Sequence, residues 1–332
     1  MTPRTTNTPR RSSVAAMNTA IKWGATFPEQ FETDEDSFKF VSRCLLLGVA
    51  QVLKMRRLLP PEDFRKRNVT EICQCTTFHS ETATGRRCSK KLNGAAEAIK
   101  LSYLKEFIIV VSTNETNHDD AIEVFTWSFA YNRGQAVVTL SKPDGEALTT
   151  LKYNGPETVK EETIAMLLKI RRLCSRILGP LPDTAFATFR VTYYQNKPSG
   201  YQAPGFHLSE TVYDLDSRAK RLCLGGTAVA GSKLFVSVQS VCLEDPDEAT
   251  RQLDRANMTS LTLDDSRIEY AFAYDMGAPV APSSIRAADP GVLTSKPDVS
   301  FASPNLKGHM RALSLQKSPG NCTRLDQMSP EK

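Results

Sequence analysis

The sequence has no long hydrophobic run, and its amino terminus carries no apolar segment. The longest uninterrupted apolar stretch, residues 44–50, has seven residues, whereas a membrane-spanning helix needs about 20. Residues 1–20 are polar and contain Arg4, Arg10 and Arg11, so they lack the hydrophobic centre of a secretory signal. We therefore expect neither a membrane span nor a secretory leader in these 332 residues.

Histidine is scarce, and the short motifs of common catalytic sites are missing. The sequence contains four histidines and no Gly-X-Ser-X-Gly, phosphate-loop or His-Glu-X-X-His pattern. His207 has no Ser or Cys nucleophile with an orienting acid in a recognisable arrangement around it. We therefore predict that the protein is not an enzyme and needs no cofactor.

Eight cysteines are present, and a long chain without a secretory leader is expected to keep its thiols reduced. Cys73, Cys75, His79 and Cys88 have the residue types of a zinc site. Their spacing departs from the Cys-X2–4-Cys pairs that are typical of structural zinc. We predict a loop with free thiols, and zinc binding by these four residues is the alternative.

The net charge of +5 is unevenly distributed. Residues 1–22 carry +4, residues 277–332 carry +3, and the stretch between them carries −2. The last segment also holds seven of the 19 prolines and a single aromatic residue, so it cannot bury enough apolar surface to fold by itself. We predict a basic flexible arm over residues 1–30, a domain over 31–250 with an edge at 251–276, and a disordered tail over 277–332.

Apolar residues recur at helical spacing in three places. The first helix covers about residues 38–55 and should end before Pro60, because the residue before a proline is displaced from the helical region. The second lies near residues 92–104, after a polar stretch at 70–90 that we interpret as a mobile loop. The third lies at about 157–178 and is apolar nearly all round, which indicates a central, buried helix.

Strand patterns occur between and after these helices. Apolar or alternating runs at 107–111, 123–131, 186–194 and 234–241 predict β-strands, the second of them at the edge of a β-meander. Residues 195–232 are rich in Gly and Pro and poorly periodic, and so long a loop inside a compact domain is usually functional.

The order and spacing of several segments resemble the HORMA domain. The resemblance runs through residues 92–111, 122–131 and 171–194, and it covers about residues 30–245. The segment 198–206, Pro-Ser-Gly-Tyr-Gln-Ala-Pro-Gly-Phe, is similar to the signature of the meiotic, chromosome-axis branch of the family. A domain followed by a tail is similar to the short nematode members. The resemblance implies an α+β fold, with three central helices packed on a mostly antiparallel sheet, followed by a C-terminal safety belt.

The resemblance also implies a peptide-binding mechanism. HORMA domains capture a short closure motif, which adds a strand to the sheet beneath the belt in a form of β-augmentation. Here the belt would cover about residues 198–245, and the third helix would form the other wall. The residues expected to contact the peptide are Tyr201, Phe206, Val212, Leu215, Leu222 and Leu224 from the belt, and Leu167 and Ile170 from the helix.

A cluster of apolar residues in the otherwise polar tail is a candidate closure motif. Such clusters often mark segments that fold on binding. The candidate covers residues 299–316, and its residues of interest are Phe301, Leu306, His309, Met310, Leu313 and Leu315. A phosphate on Ser303 would weaken docking of this motif in an apolar belt. The candidate proline-directed phosphorylation sites are Thr8, Ser303 and Ser318.

We therefore predict a nuclear, non-enzymatic adaptor of the meiotic chromosome axis that supports homologue pairing, synapsis and crossover control. The partners that the resemblance implies are other HORMA-domain axis proteins and their closure motifs, cohesin-linked axis proteins, and a remodelling ATPase. We expect at most weak, non-specific DNA contact by the basic arm, and no membrane partner. The alternatives are a spindle-checkpoint or repair-polymerase HORMA adaptor, and a DNA-binding module with a Cys/His metal loop.

Overall fold

The computed structural model describes residues 23–70, 73–114, 119–131, 150–209, 212–259 and 315–317. Within these ranges no helix is both long enough and apolar enough to cross a membrane. The helices are α1 (Asp34–Met55), α2 (Ala83–Lys100), α3 (Pro156–Arg172), which continues as a π-helical turn (Leu173–Ile177), and α4 (Pro246–Thr259). A short 3-10 turn (Pro61–Asp63) follows α1.

Two sheets are present in the described part of the chain. A small antiparallel hairpin is formed by β1 (Phe64–Asn68) and β2 (Gln74–Phe78). The main sheet has the order β7-β8-β4-β3-β5-β9, and β6 pairs with β4 beside that path. Its strands are β3 (Leu104–Ser112), β4 (Asp120–Tyr131), β5 (Phe186–Tyr193), β6 (Asp214–Leu215), β7 (Lys220–Ala228), β8 (Ser232–Ser240) and β9 (Leu315–Lys317). The pairings are antiparallel except β4–β6 and β5–β9, which are parallel.

The chain divides into two compact units, Met1–Met258 with Ala312–Lys332, and Thr259–Arg311. The main sheet and the helices α1, α2 and α3 belong to the first unit. The predicted α+β arrangement of three central helices on a mostly antiparallel sheet is confirmed.

Helix α1 is the most deeply buried of the three central helices. The Oγ1 atom of Thr33 caps it by accepting a hydrogen bond from the backbone N–H of Asp36 at 3.1 Å. Acidic residues in its first turn further favour this start, because they face the positive end of the helix dipole. The prediction that α3 is apolar and buried nearly all round is wrong, because Lys160 and Lys169 interrupt its apolar positions and it buries mainly one face.

Side chains alternate between two faces of the main sheet. The first face packs against the helices and carries the fully buried residues Phe107, Ile109, Phe125, Trp127 and Phe189. The second face carries a separate, smaller cluster that is covered by Tyr213 and Leu215; its members are Ile108, Val110, Ala121 and Val124. The main core therefore lies between the first face and the helices.

Three predicted elements differ from the structure. The stretch at 70–90, predicted to be a loop, contains β2 and the start of α2, which Thr82 caps by accepting from the N–H of Gly85 at 3.0 Å. Strand β4 is not at an edge but lies between β3 and β8. The irregular stretch at 195–232 includes the whole of β7, a nine-residue strand whose two glycines conceal its pattern.

The domain begins before residue 31, which corrects the predicted boundary of the flexible arm. Trp23 and Phe27 are buried, their ring centroids lie 4.6 Å apart, and Phe27 packs on Phe40 of α1 at 5.2 Å. Arg43 of α1 donates to the carbonyl oxygen of Thr26 at 2.8 Å. Residues 1–22 and most of the predicted tail lie outside the described residues. The predicted domain boundary at residue 250 falls inside α4.

Candidate functional site

Strand β5 is the last strand of the domain at one side of the sheet, and a strand from the tail occupies its outer edge. Its inner side pairs with β3. On its outer side, β9 adds in parallel, so that Phe189 pairs with Leu315, Arg190 with Gln316 and Val191 with Lys317. An edge strand presents backbone N–H and C=O groups that serve as a template for another strand. This edge is therefore a place where a peptide can join the sheet.

The segment that follows β5 is anchored by aromatic contacts. Tyr201 lies edge-on to Tyr103 at 5.1 Å and to Tyr193 at 5.9 Å between ring centroids. The backbone N–H of Ala203 donates to the hydroxyl of Tyr193 at 2.9 Å. Burial raises the pKa of Tyr193, and it raises the pKa of Tyr201 to about 12, so both phenols are neutral.

A helical glycine allows this segment to lie directly on α2. A Cβ atom at Gly94 would lie 2.0 Å from the carbonyl oxygen of Pro204, a distance that no side chain tolerates. Phe206 is only 4% exposed and approaches the ring of Phe107 at 6.4 Å. Tyr201 and Phe206, predicted to contact the peptide, therefore pack against the domain and anchor the start of the belt (residues 198–245).

The belt next crosses the second face of the sheet. Strand β6 pairs with the first residues of β4, Asp214 with Asp120 and Leu215 with Ala121. Leu215 packs on the second-face cluster, and its predicted contact with a captured peptide stays a prediction. Val212 is 50% exposed, so it does not form part of that contact.

The belt ends in the hairpin of β7 and β8, which pairs with β4 on the side of the sheet away from β5. Its predicted residues Leu222 and Leu224 are buried in the main core, where β7 lies beside α3. The predicted wall residues Leu167 and Ile170 are fully buried in the same core. Because α3 packs on α1 and β7, both side chains lie inside the core, and their predicted role as a wall of the peptide site stays a prediction.

Sequence reasoning missed a buried polar group on the second face of β5. Arg190 is 2% exposed and pairs with Asp119 at 2.5 Å between Nη2 and Oδ1. Its guanidinium carbon lies 5.5 Å from the ring centroid of Tyr213 in the belt, a cation–π contact. Burial raises the pKa of Tyr213, Glu106 raises it further, and Arg190 opposes this. The only signal in the sequence was an arginine between apolar positions of a strand.

A second buried polar group, also missed, connects the belt hairpin to the helices. Arg56 and Glu123 form an ion pair, and the hydroxyl of Ser240 in β8 donates to Oε2 of Glu123 at 2.8 Å. Burial raises the pKa of Glu123, while Arg56 and Ser240 oppose that shift. The three residues are far apart in the sequence and show no common motif.

The four candidate zinc ligands do not form a cluster. No group of three or more potential ligand side chains that could hold a metal occurs within the described ranges. The Sγ atoms of Cys73 and Cys75 lie 3.7 Å apart, and both thiols are buried in the core. His79 Nδ1 lies 3.1 Å from the carbonyl oxygen of Glu62, and Cys88 is buried on α2. The seven cysteines among the described residues are free thiols.

Of the candidate closure motif at 299–316, the structure describes residues 315 and 316, which belong to β9, and Leu315 is the one residue of interest among them. The remaining candidate residues of the two tails lie outside the described residues; they are Phe301, Leu306, His309, Met310, Leu313, Thr8, Ser303 and Ser318.

The architecture defines a class of α+β domains in which helices cover one face of the sheet, a crossing segment contacts the other, and one edge takes an additional strand. The chain belongs to the HORMA domain family, whose model matches residues 37–225. It is 26% identical over 191 residues to HORMA domain-containing protein 1 of Rattus norvegicus, covering 57% of this chain and 47% of that protein. It is 22% identical over 249 residues to HORMA domain-containing protein 2 of Mus musculus, covering 74% and 77%.

Solved nematode structures are similar over the whole domain. The structure of C. elegans HTP-2 bound to HTP-3 closure motif 1 has a TM-score of 0.64 at 28% identity and covers 67% of this chain and 93% of that one. The structure of C. elegans HTP-1 bound to the HIM-3 closure motif has a TM-score of 0.63 at 28% identity and covers 67% and 98%. By contrast, the chain spans about half the length of the Rattus norvegicus relative.

Proposed function

We propose that this protein is a non-enzymatic adaptor that captures closure-motif peptides as an added strand on β5, beneath the belt. The observation that carries the proposal is the pairing of Leu315–Lys317 with the outer edge of β5. A segment outside the folded domain thus completes the sheet at the position where a captured peptide would lie.

The sheet edge and the belt suit this task physically. Main-chain hydrogen bonds from an added strand supply affinity without regard to sequence, and alternate side-chain positions supply selectivity. The belt is attached at both of its ends, by the contacts of Tyr201 and Phe206 at its start and by the β8–β4 pairing at its end. Its middle part crosses the second face through Tyr213 and Leu215. A peptide on β5 would therefore dissociate only when part of the belt moves.

The relatives support assignment to the meiotic chromosome axis. HTP-1 and HTP-2, which are 28% identical to this chain, were each solved with closure motifs of other proteins. We infer the same class of ligand here, a nuclear location on the axis, and a role in homologue pairing, synapsis and crossover control. Cohesin-linked axis proteins and other HORMA proteins are the proposed partners.

The tail of this chain supplies one candidate ligand. Strand β9 ends at Lys317, one residue beyond the candidate motif at 299–316, so a binding peptide should extend past residue 317. The same tail could be captured by its own domain or by a second copy, and capture between copies would assemble the protein along an axis. Release would require a remodelling ATPase, and residues 1–22, which precede the buried Trp23 in the sequence, are the proposed handle.

The test is binding of a labelled peptide of residues 299–328 to the full-length protein. The receptor carries Leu315→Asp, so that its own tail competes poorly. Leu315 pairs with Phe189, whose side chain belongs to the apolar first face, and a carboxylate at that register position would be desolvated without a partner. We expect the wild-type peptide to bind, the Leu315→Asp peptide to lose binding, and the Leu325→Asp peptide to bind like the wild type. Equal behaviour of the two Asp peptides, or no binding by any peptide, would contradict the proposal.

A further inference from the structure

The first half of α2 exposes positive charge without acidic residues beside it. Arg86, Arg87 and Lys90 are exposed on this helix, and the stretch 83–96 contains no Asp or Glu. Among the described residues, no carboxylate forms an ion pair with any of the three. Arg86 donates instead to the carbonyl oxygen of Glu81 at 2.7 Å. These three charges therefore have no counter-charge of their own in the described part of the fold.

Their position is unfavourable for the helix itself. The first turns of a helix lie at the positive end of its dipole, which favours acidic side chains and disfavours basic ones. Arg86 and Lys90 are also four residues apart, as are Arg87 and Lys91, and like charges at this spacing destabilise a helix. Helix stability therefore does not explain these residues, whereas an anionic ligand would offset their repulsion.

Strand β1 extends this positive surface. Arg65 and Arg67 are exposed on β1. Arg65 reaches the same turn as Arg86, because its Nη2 atom lies 2.9 Å from Oε1 of Glu81. Glu81 offsets one of the charges, and a positive excess remains. We define the basic surface as the five exposed cations of the two elements, which are Arg65, Arg67, Arg86, Arg87 and Lys90.

The polypeptide enters the domain beside the basic surface. Arg67 donates to Oγ1 of Thr26 at 2.9 Å and also to the carbonyl oxygen of Ala25. Residues 1–22 precede this point in the sequence and carry a charge of +4 with no acidic residue. The basic surface and the adjoining sequence thus have charge of one sign. Such a distribution complements a long polyanion better than a single small anion.

The basic surface lacks the apolar centre that a protein partner normally contacts. The large apolar side chains that are exposed among the described residues are those of Leu101, Tyr153, Leu208 and Val212. None of them lies on β1 or in the first half of α2. Duplex DNA carries one negative charge per about 1.7 Å of its axis, and Lys and Arg contacts to its phosphates suffice for non-specific binding. The composition of the surface therefore favours DNA over an acidic protein.

We propose that the basic surface binds the phosphate backbone of duplex DNA without sequence preference. This activity goes beyond peptide capture, because the basic surface lies on α2 and β1, whereas the captured strand joins β5 in the other sheet. The two ligands thus have separate sites, and one domain can link a captured peptide to DNA.

The test measures binding of a fluorescent duplex of about 30 base pairs to the full-length protein by anisotropy, between about 50 mM and about 200 mM NaCl. The surface variant combines Arg86→Gln, Arg87→Gln and Lys90→Gln. Glutamine is a good helix former, and the substitutions remove like-charge repulsion, so the variant should unfold in urea at the same or a higher concentration than the wild type.

The control variant removes the same amount of charge from exposed positions outside the basic surface. It combines Lys100→Gln, Lys152→Gln and Arg176→Gln. Lys100 lies on α2 itself, about 15 Å further along the helix than Lys90. The control therefore separates a local contact from an effect of the net charge.

We expect the surface variant to bind DNA at least tenfold more weakly than the wild type at about 50 mM NaCl. Its slope of log affinity against log salt should be smaller in magnitude by about two to three, since each lost phosphate contact removes about one. The control should keep the slope of the wild type and an affinity within about threefold. Unlabelled duplex should compete at least tenfold better than poly-Glu at equal charge concentration, because its charge is denser.

Three results would overturn the proposal. The first is an absence of DNA binding by the wild type at about 50 mM NaCl. The second is a surface variant that loses no more affinity or slope than the control, which would assign DNA binding to other parts of the chain. The third is equal competition by poly-Glu, which would assign the basic surface to an acidic protein partner. None of these results bears on peptide capture, which is measured separately.

Discussion

Arg56 and Glu123 form a buried two-point ion pair, with Nε 2.8 Å from Oε1 and Nη2 3.0 Å from Oε2. Neither side chain is more than 3% exposed. Glu123 lies on β4, and Arg56 caps the end of α1 and also donates to the carbonyl oxygen of Gly179 at 2.8 Å. Ser240 of the belt hairpin donates to the same carboxylate. One carboxylate therefore connects the helices, the central strand and the belt.

Removing the charge of Glu123 should destabilise the domain strongly. Glu123→Gln keeps the shape but leaves the Arg56 charge buried without a counter-ion, and breaking such a pair costs about 3–5 kcal/mol. We expect a loss of this size in the free energy of unfolding, measured by urea denaturation. The double variant Arg56→Met with Glu123→Leu should recover much of the loss, because it buries no charge. A single variant as stable as the wild type would contradict the assigned role of the pair.

Gly94→Ala should displace the start of the belt. Alanine normally stabilises an interior helix position by up to about 1 kcal/mol relative to glycine. Here the added Cβ would meet the carbonyl oxygen of Pro204 at 2.0 Å, so we expect lower stability and faster proteolysis within residues 198–209. Asn93→Ala, at an exposed position of the same helix, is the control; it should leave proteolysis unchanged and raise stability slightly, by the helix propensity of alanine alone. A more stable Gly94→Ala variant would show that the belt does not lie on α2 in solution.

The helices and strands with strong periodicity could be predicted from the sequence, and elements that depend on tertiary contacts could not. The start of α2 has the composition of a loop because Arg86, Arg87 and Gly85 lie near Thr82, and its first buried apolar side chain is that of Cys88. The position of the belt followed from the resemblance. The burial of Phe206 could not be predicted, since it depends on Gly94, more than a hundred residues away in the sequence. Arg190 is one arginine in a strand, and its buried contacts with Asp119 and Tyr213 become evident only in the fold.

Thiol reactivity distinguishes the structured stretch at 70–90 from a mobile loop. Burial raises the pKa of Cys88 to about 12, so almost no reactive thiolate is present at pH 8. Cys223 on β7 is exposed. We expect N-ethylmaleimide to modify Cys223 rapidly in the native protein and Cys88 only after unfolding, as followed by peptide mass spectrometry over time. Equally rapid labelling of both would support the loop instead.

Lys91 should make stability rise with pH in an alkaline window. Burial near Gly205 of the belt lowers the pKa of Lys91 to about 8, and Arg87 adds to the effect. The unfolded chain, with the ordinary value of 10.5, therefore binds more protons than the folded protein between about pH 8 and pH 10.5. The stability of the wild type should accordingly increase through this window and fall as the pH is lowered through 8.

The measurement is the free energy of unfolding by urea between pH 7.5 and pH 9.5 for the wild type and for Lys91→Met. We expect the wild type to gain stability relative to this variant as the pH rises. Lys90→Met controls for the loss of a positive charge at the adjacent position. Curves for the wild type and Lys91→Met that remain parallel would indicate that the belt does not cover Lys91.

Hydrogen exchange at β5 in the full-length protein tests the central claim, capture of a strand on this edge, most directly. The amides of β5 that face β9 should be protected from exchange in the wild type and in the Leu325→Asp variant. In the Leu315→Asp variant their exchange should be at least tenfold faster, while the β5 amides that face β3 stay protected. Added peptide of residues 299–328 should restore protection to Leu315→Asp. Rapid exchange of the outer β5 amides in the wild type, unchanged by added peptide, would contradict the account.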